Sequence, residues 1–326
     1  MKSAHTVRPV QRREMDSLLA LLQTGLPNVV HGGPSLQALE QRMATLIEDG
    51  CLVAATTSTE PAGVIALDLF DRRVSACYLH PGLATAATPK ALFPAIEQRA
   101  LAYGLRTLEC RVRPEALGLM WELGFVPASE PSDDEQPILM RKDLVADAEA
   151  WQREIFTLLD ELGISPDYGP RHRLEMVRDC DRLVSIGFDI YDREQWLAPE
   201  AAEAWQALHE AATHQGITLQ VVSAFRGLKY QAGIIRAKRE KGLNLERILS
   251  VSAAPGFSEH HSGRALDLKS PGEPALEESF AATAAYRWLG ANARFFGFRE
   301  SFGRRNRHGL IWEPWHWCFH PEALHH

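Results

Sequence analysis

At 326 residues the chain is longer than a single typical domain and suits two of about 150 residues each. Hydrophobic content of 45% and charged content of 24% are ordinary for a globular protein. No apolar run reaches the roughly 18 residues of a spanning helix, so no membrane span is expected. A net charge of −7 gives no general attraction for nucleic acid. The start, Met1 to Pro9, lacks the apolar core of a secretory signal, so the chain is expected to stay in the cytoplasm. Five cysteines with no CxxC pair give no disulfide framework.

In the first half, Leu36, Leu39, Met43, Leu46 and Ile47 recur at helical spacing behind a Pro34-Ser35 start signal. Cys51 to Thr57 and Ala62 to Leu69 read as strands separated by the turn signal Ser58-Thr59-Glu60-Pro61. Val74 to His80 reads as a third strand and Lys90 to Tyr103 as a helix. In Arg106 to Val112, Leu108, Cys110 and Val112 alternate as one strand face should. Glu115 to Leu123 is a short helix stopped by Gly124.

This order, and above all Val112-Arg113-Pro114-Glu115 through Trp121 to Val126, resembles the acyl-CoA-dependent N-acetyltransferases (GNAT fold) over residues 1–143. The resemblance implies a mixed sheet flanked by helices. That family grips a pyrophosphate with a glycine-rich loop at a helix N-terminus. The corresponding Ala84-Thr85-Ala86-Ala87-Thr88-Pro89 has neither glycine nor cation, so the domain is expected to be degenerate and not to bind acetyl-CoA. Tyr78, Tyr103 and Glu109 read as core or surface residues rather than acid–base groups.

Residues 144–170 read as a helical linker. Trp151, Ile155, Leu158, Leu159 and Leu162 are helically spaced, Gly163 ends the helix, and Ser165 to Pro170 is rich in turn residues. In residues 171–326, a helix over Pro199 to Gly216 precedes a strand over Ile217 to Ala224. That strand delivers Arg226, and the next helix carries Gln231. Pro255-Gly256 marks a turn before a strand over Arg264 to Leu268, on which Ala265 and Asp267 share a face. A helix over Phe280 to Arg294, a strand from Phe295 and a strand over Leu310 to Trp317 complete the pattern. Pro314 excludes a helical His-Glu-x-x-His site. Strand alternation alone puts Cys318 on the His316 face, and Trp312, Trp315 and Trp317 read as core.

Two segments carry chemistry: Ser258-Glu259-His260-His261-Ser262-Gly263-Arg264-Ala265-Leu266-Asp267 and Glu313-Pro314-Trp315-His316. A catalytic zinc site needs three protein ligands, an open position for water and a base beside that water. His260, Asp267 and His316 suit the ligands and Glu313 the base. Taken singly, each histidine reads as structural or solvated; the pairing of the segments favours the metal.

The pattern Ser-x-His-x-x-Gly-x-Ala-x-Asp followed by Glu-Pro-Trp-His, with Ser223-Ala224-Phe225-Arg226 to Gln231 upstream, is similar to the zinc D,D- and L,D-carboxypeptidases that trim peptidoglycan stem peptides. They belong to the group that includes the hedgehog signalling domain. The resemblance spans about residues 165–322 and implies an α+β fold with an antiparallel sheet and helices, a bound Zn2+ and a peptidoglycan-derived substrate losing D-alanine. It places the ligand two residues after Ser258, hence His260, with His261 exposed or supporting. By the same resemblance Ser258 bonds substrate, Gln231 holds its terminal carboxylate, and Arg226 clamps an oxyanion or carboxylate. Two alternatives stand beside this reading. One is an inactive zinc-binding recognition module, against which Glu313 and Arg226 argue; the other is a bifunctional protein with an active acetyltransferase, against which the glycine-poor loop argues.

Overall fold

The computed structural model describes residues 5–24, 30, 35–57, 60–128 and 136–322. The chain divides into two compact units, Met1–Glu149 with Gly169–Arg173, and Ala150–Tyr168 with Leu174–His326.

The first unit is built on β1 (Thr6–Pro9), β2 (Leu52–Thr57), β3 (Glu60–Asp68), β4 (Arg73–Leu79), β5 (Thr107–Val112), β6 (Val126–Pro127) and β7 (Ile138–Asp143). They form one sheet in the order β1-β2-β3-β4-β5-β7-β6. The β4–β5 pair is parallel and the others antiparallel, the mixed sheet the sequence implied. Helices α1 (Met15–Thr24), α2 (Leu36–Glu48), α3 (Ala87–Ala102) and α4 (Leu117–Glu122) accompany it. Ser35 caps α2 by accepting from the Ala38 amide. The Pro34 and Ser58-Thr59 signals lie outside the described residues. Helix α3 buries Leu92, Phe93, Ile96 and Ala100 and packs on β2 and β3. It starts three residues before the Lys90 expected from periodicity, because Thr85 and Thr88 hydrogen-bond each other across its first turn.

The second unit opens with α5 (Ala150–Leu162), which buries Ile155, Phe156, Leu158, Leu159 and Leu162. Gly163, at φ +65°, ends it in the left-handed region where a side chain is strained. A short α6 (Tyr168–His172) follows, of which all but Tyr168 belongs to the first unit, and then, in the second, the hairpin of β8 (Val184–Phe188) and β9 (Glu194–Leu197). Next come α7 (Pro199–His214), β10 (Gln220–Ser223), α8 (Leu228–Glu240), α9 (Leu245–Ser250), β11 (Ala265–Lys269), α10 (Ala284–Asn292), β12 (Phe298–Glu300) and β13 (His316–Phe319). The sheet order is β10-β11-β13-β12, antiparallel throughout.

Alternation divides the labour of the central strands. Leu266 and Leu268 of β11 and Trp317 and Phe319 of β13 join the core with Trp205, Leu208, Trp288 and Leu289. Asp267, between the two leucines, and His316, between the core residues Trp315 and Trp317, are left for the site.

Three expected elements of this unit differ. The strand read from Phe295 begins only at Phe298, because Ala293–Phe296 is a 3-10 turn ended by Gly297 at φ +79°. The helix read over Phe280 to Arg294 is broken at Thr283, whose hydroxyl accepts from the Tyr286 amide to cap α10. The strand read over Leu310 to Trp317 begins only at His316. Glu313 lies in a turn, its amide donating to Phe302 O and its carbonyl accepting from the His316 amide, while Pro314 has no N–H for a ladder.

Candidate metal centre and its pocket

Register assembles the centre. β11 and β13 pair with Asp267 directly opposite His316, so their side chains emerge side by side on one face. His260 comes from a 3-10 turn, Glu259–Ser262, ended by Gly263 at φ +66°. A Cβ on Gly263 would lie 2.9 Å from the Ala198 backbone nitrogen, so both conformation and space call for glycine there. The segment that follows β10 fastens this turn. Ala224 O accepts from His260 Nδ1 at 2.5 Å, and the Arg226 amide donates to His260 O at 3.3 Å.

These bonds decide where the lone pairs point. A carbonyl only accepts, so His260 carries its proton on Nδ1 and Nε2 is bare. That Nε2 is buried, has no hydrogen-bond partner and lies 3.2 Å from Asp267 Oδ2. His316 Nε2 sits 2.8 Å from Glu259 Oε2, while its Nδ1 faces Asp267 Oδ1 at 3.0 Å. The bare His260 Nε2 and the Asp267 carboxylate thus face each other as two acceptors, an arrangement that calls for a cation between them. One donor atom from each of His260, Asp267 and His316 lies within 4.8 Å of the others, and all three residues are buried. Two imidazoles and a carboxylate are a donor set suited to a catalytic zinc.

Electrostatics follow the same geometry. Burial, then the charge of Arg226, lower His260 to about 4. Burial opposes the charged form of His316, but bonds to Asp267 and Glu259 outweigh it and raise the group to about 10. Burial likewise opposes ionisation of Asp267, yet His260, His316 and Arg226 hold it well below the usual carboxylate range.

A pocket of about 370 Å³ opens on these residues and is lined also by Arg226, Gln231, Ser258 and Glu313. Burial pushes Glu313 up to about 7, with Asp267 and Glu259 adding to the shift and His316 and Arg226 opposing it. A carboxylate so placed exchanges protons near neutral pH. Arg226 stands 3.6 Å from Asp267 Oδ2, and its buried Nε is without a partner. Ser258 is buried in the wall. Trp315 also lines the pocket, whereas Trp317 is core only.

Of the two places expected for His261, exposed or supporting, it takes the second: it is 0% accessible, its Nε2 accepts from the Gly256 amide, and its Nδ1 donates to Arg226 O. It braces loop to strand, and the sequence concealed this because both partners are backbone groups. Gln231 lines the pocket partly committed: one N–H of its Nε2 donates to Ala253 O at 2.7 Å, and its buried Oε1 is unpaired and can only accept. One residue was missed. Glu259 aligns His316 and accepts from Ser301 at 2.6 Å, and burial, then the His316 bond that overrides it, leave it at about 2. Its signal was its place beside His260.

Residues 194–322 match the protein family VanY, D-alanyl-D-alanine carboxypeptidase. A putative carboxypeptidase, YodJ of Bacillus subtilis, is 32% identical over 138 residues, 41% of this chain and 50% of that protein. The chain therefore spans about half the length of that relative. The solved structure of LdcB, an LD-carboxypeptidase, is 28% identical with a TM-score of 0.39, covering 43% of this chain and 69% of that one. The N-terminal half is similar to the ribosomal-protein-S18-alanine N-acetyltransferase of Escherichia coli, 16% identical with a TM-score of 0.33, covering 45% of this chain and 98% of that one. Among the described residues no helix is long and apolar enough to cross a membrane. Within the C-terminal half of the chain, residues 194–322 are thus similar to VanY-type D-alanyl-D-alanine carboxypeptidases.

Proposed function

We propose that the second unit is a zinc-dependent carboxypeptidase that releases C-terminal D-alanine from peptidoglycan stem peptides. The observation that carries this reading is the convergence of three buried donors, His260, Asp267 and His316, on a pocket that also holds Glu313. Zinc, when bound by them, supplies Lewis acidity that lowers the pKa of water and polarises a carbonyl. Glu313 takes the proton of the attacking water and returns it to the leaving amine. Arg226 faces the negative charge that develops on the scissile carbonyl oxygen. Ser258 and Gln231 orient the peptide from the pocket wall. Incubating the zinc-loaded chain with tetra- and pentapeptide muropeptides and weighing the products tests the proposal; recovery of every peptide unshortened would overturn it.

Glu259 supports the metal through His316, as carboxylates behind histidine ligands do. Glu259→Gln keeps the size and should weaken zinc binding about 10- to 100-fold, measured by competition with a coloured chelator. Unchanged affinity would remove Glu259 from this role.

The first unit is proposed as a scaffold that does not bind acetyl-CoA. Six of the amides that would grip a pyrophosphate before α3 are spent internally. Gly82 and Leu83 donate to His80 Nδ1, Ala84 to His80 O, Thr85 to Thr88 Oγ1, Ala87 to Thr85 Oγ1, and Thr88 to Thr85 O. Calorimetric titration of the whole chain with acetyl-CoA should give no saturable heat; low-micromolar binding would restore the bifunctional reading.

A further inference from the structure

The carboxypeptidase reading needs a group that recognises the free acid of its peptide, and Gln231, a neutral amide with one N–H held by Ala253 O and an unpaired Oε1, offers that acid no charge. We propose that Lys238 reads a free carboxylate of the substrate, an assignment that rests on the function proposed above.

Lys238 lies near the C-terminal end of α8, where a lysine normally stays solvated beside the last carbonyls. Here it is a wall of the pocket instead. Its Nζ donates to Ser252 Oγ at 2.7 Å, and Ser252 passes its own proton to Val251 O at 2.8 Å. An ammonium carries three N–H groups, so two remain for a ligand. Among the described residues no carboxylate makes an ion pair with it.

The acidic residues of the same pocket are committed elsewhere. Glu259 serves His316 and Ser301, Asp267 faces both histidines and Arg226, and Glu313 is the proton acceptor. Burial, then Arg226, lowers the Lys238 pKa, with Glu313 opposing them, which marks two cations close enough in one cavity to repel each other. An entering carboxylate relieves that repulsion.

Gln231 completes the complement. Reversing its amide would set Oε1 against the Ala253 carbonyl, so the unpaired Oε1 stays in place and accepts an N–H. A peptide end offers both features, a carboxylate for Lys238 and an amide N–H for Gln231. The carboxylate has two sources, the C-terminus or an acidic side chain near it.

The test uses the zinc-loaded full chain with Glu313→Ala, so that peptides bind without turnover. Calorimetry compares N-acetyl-D-alanyl-D-alanine, its C-terminal amide, and a peptide amide whose only carboxylate is on a side chain. The parent should prefer one carboxylate peptide over the plain amide by about 10- to 100-fold, the range of a charged hydrogen bond. Which peptide is preferred identifies the source. Lys238→Met and Lys238→Gln should erase the preference and Lys238→Arg should largely keep it, with zinc content and melting temperature confirming that each variant is folded. Gln can still bond Ser252, so a residue that merely tethers the loop would survive that change. Undiminished preference in Met and Gln, or no binding of any peptide by the parent, overturns the proposal. Hydrolysis by the Glu313-intact chain is scored separately: Lys238-dependent binding without cleavage would sink the carboxypeptidase reading and leave the anion site standing.

Discussion

Replacing Glu313 by alanine is expected to slow hydrolysis of a D-alanyl-D-alanine peptide by ~10²–10⁴-fold while zinc stays near one equivalent per chain. The two readouts separate because Glu313 sits outside the group of His260, Asp267 and His316. The carboxylate form is the base, so activity should fall as pH drops through the Glu313 pKa. That pKa is raised to about 7 by burial in the metal-free pocket. A bound cation favours the carboxylate, which puts the acid limb at or below that value. Near-parental turnover by the alanine variant, or a rate flat from neutral pH down to 4, would remove Glu313 from the mechanism.

The second large effect concerns the metal. His260→Ala and His316→Ala should each lose zinc on elemental analysis after dialysis, since two remaining donors make a poor site. His261→Ala should retain it. That variant will instead melt earlier, because the amide of Gly256 and the carbonyl of Arg226 lose a buried partner. Full zinc in His260→Ala beside none in His261→Ala would reverse the ligand assignment. Melting temperatures distinguish a lost ligand from a lost fold.

Much of this was legible in local sequence. Alternation in Ala265 to Leu268 told which residues share a face, and the Pro314 break ruled out a helical metal motif. What stayed hidden depends on distant partners. Asp267 and His316 are 49 residues apart, and nothing in either segment states that they pair directly. The burial of His261 arises from backbone groups at Arg226 and Gly256, which carry no side-chain signature. The turn holding Glu313 is set by Phe302 O, so an aromatic-rich stretch that resembled a strand is irregular until His316. In the first unit, the early start of α3 comes from two threonines bonding each other, a local effect that hydrophobic periodicity does not register.

The direct pairing of Asp267 with His316 makes the chemistry hostage to counting. Side chains alternate along a strand, so a slip of β13 by one residue against β11 would present Trp317 where His316 stands. Both sequence motifs would remain intact, and a search for them would still succeed, yet the protein would carry no centre. Single-residue insertions within Ala265–Lys269 or His316–Phe319 therefore threaten the site more than most substitutions outside it. The turns between Gly303 and Leu310, which end before Glu313, are where length can vary with least harm.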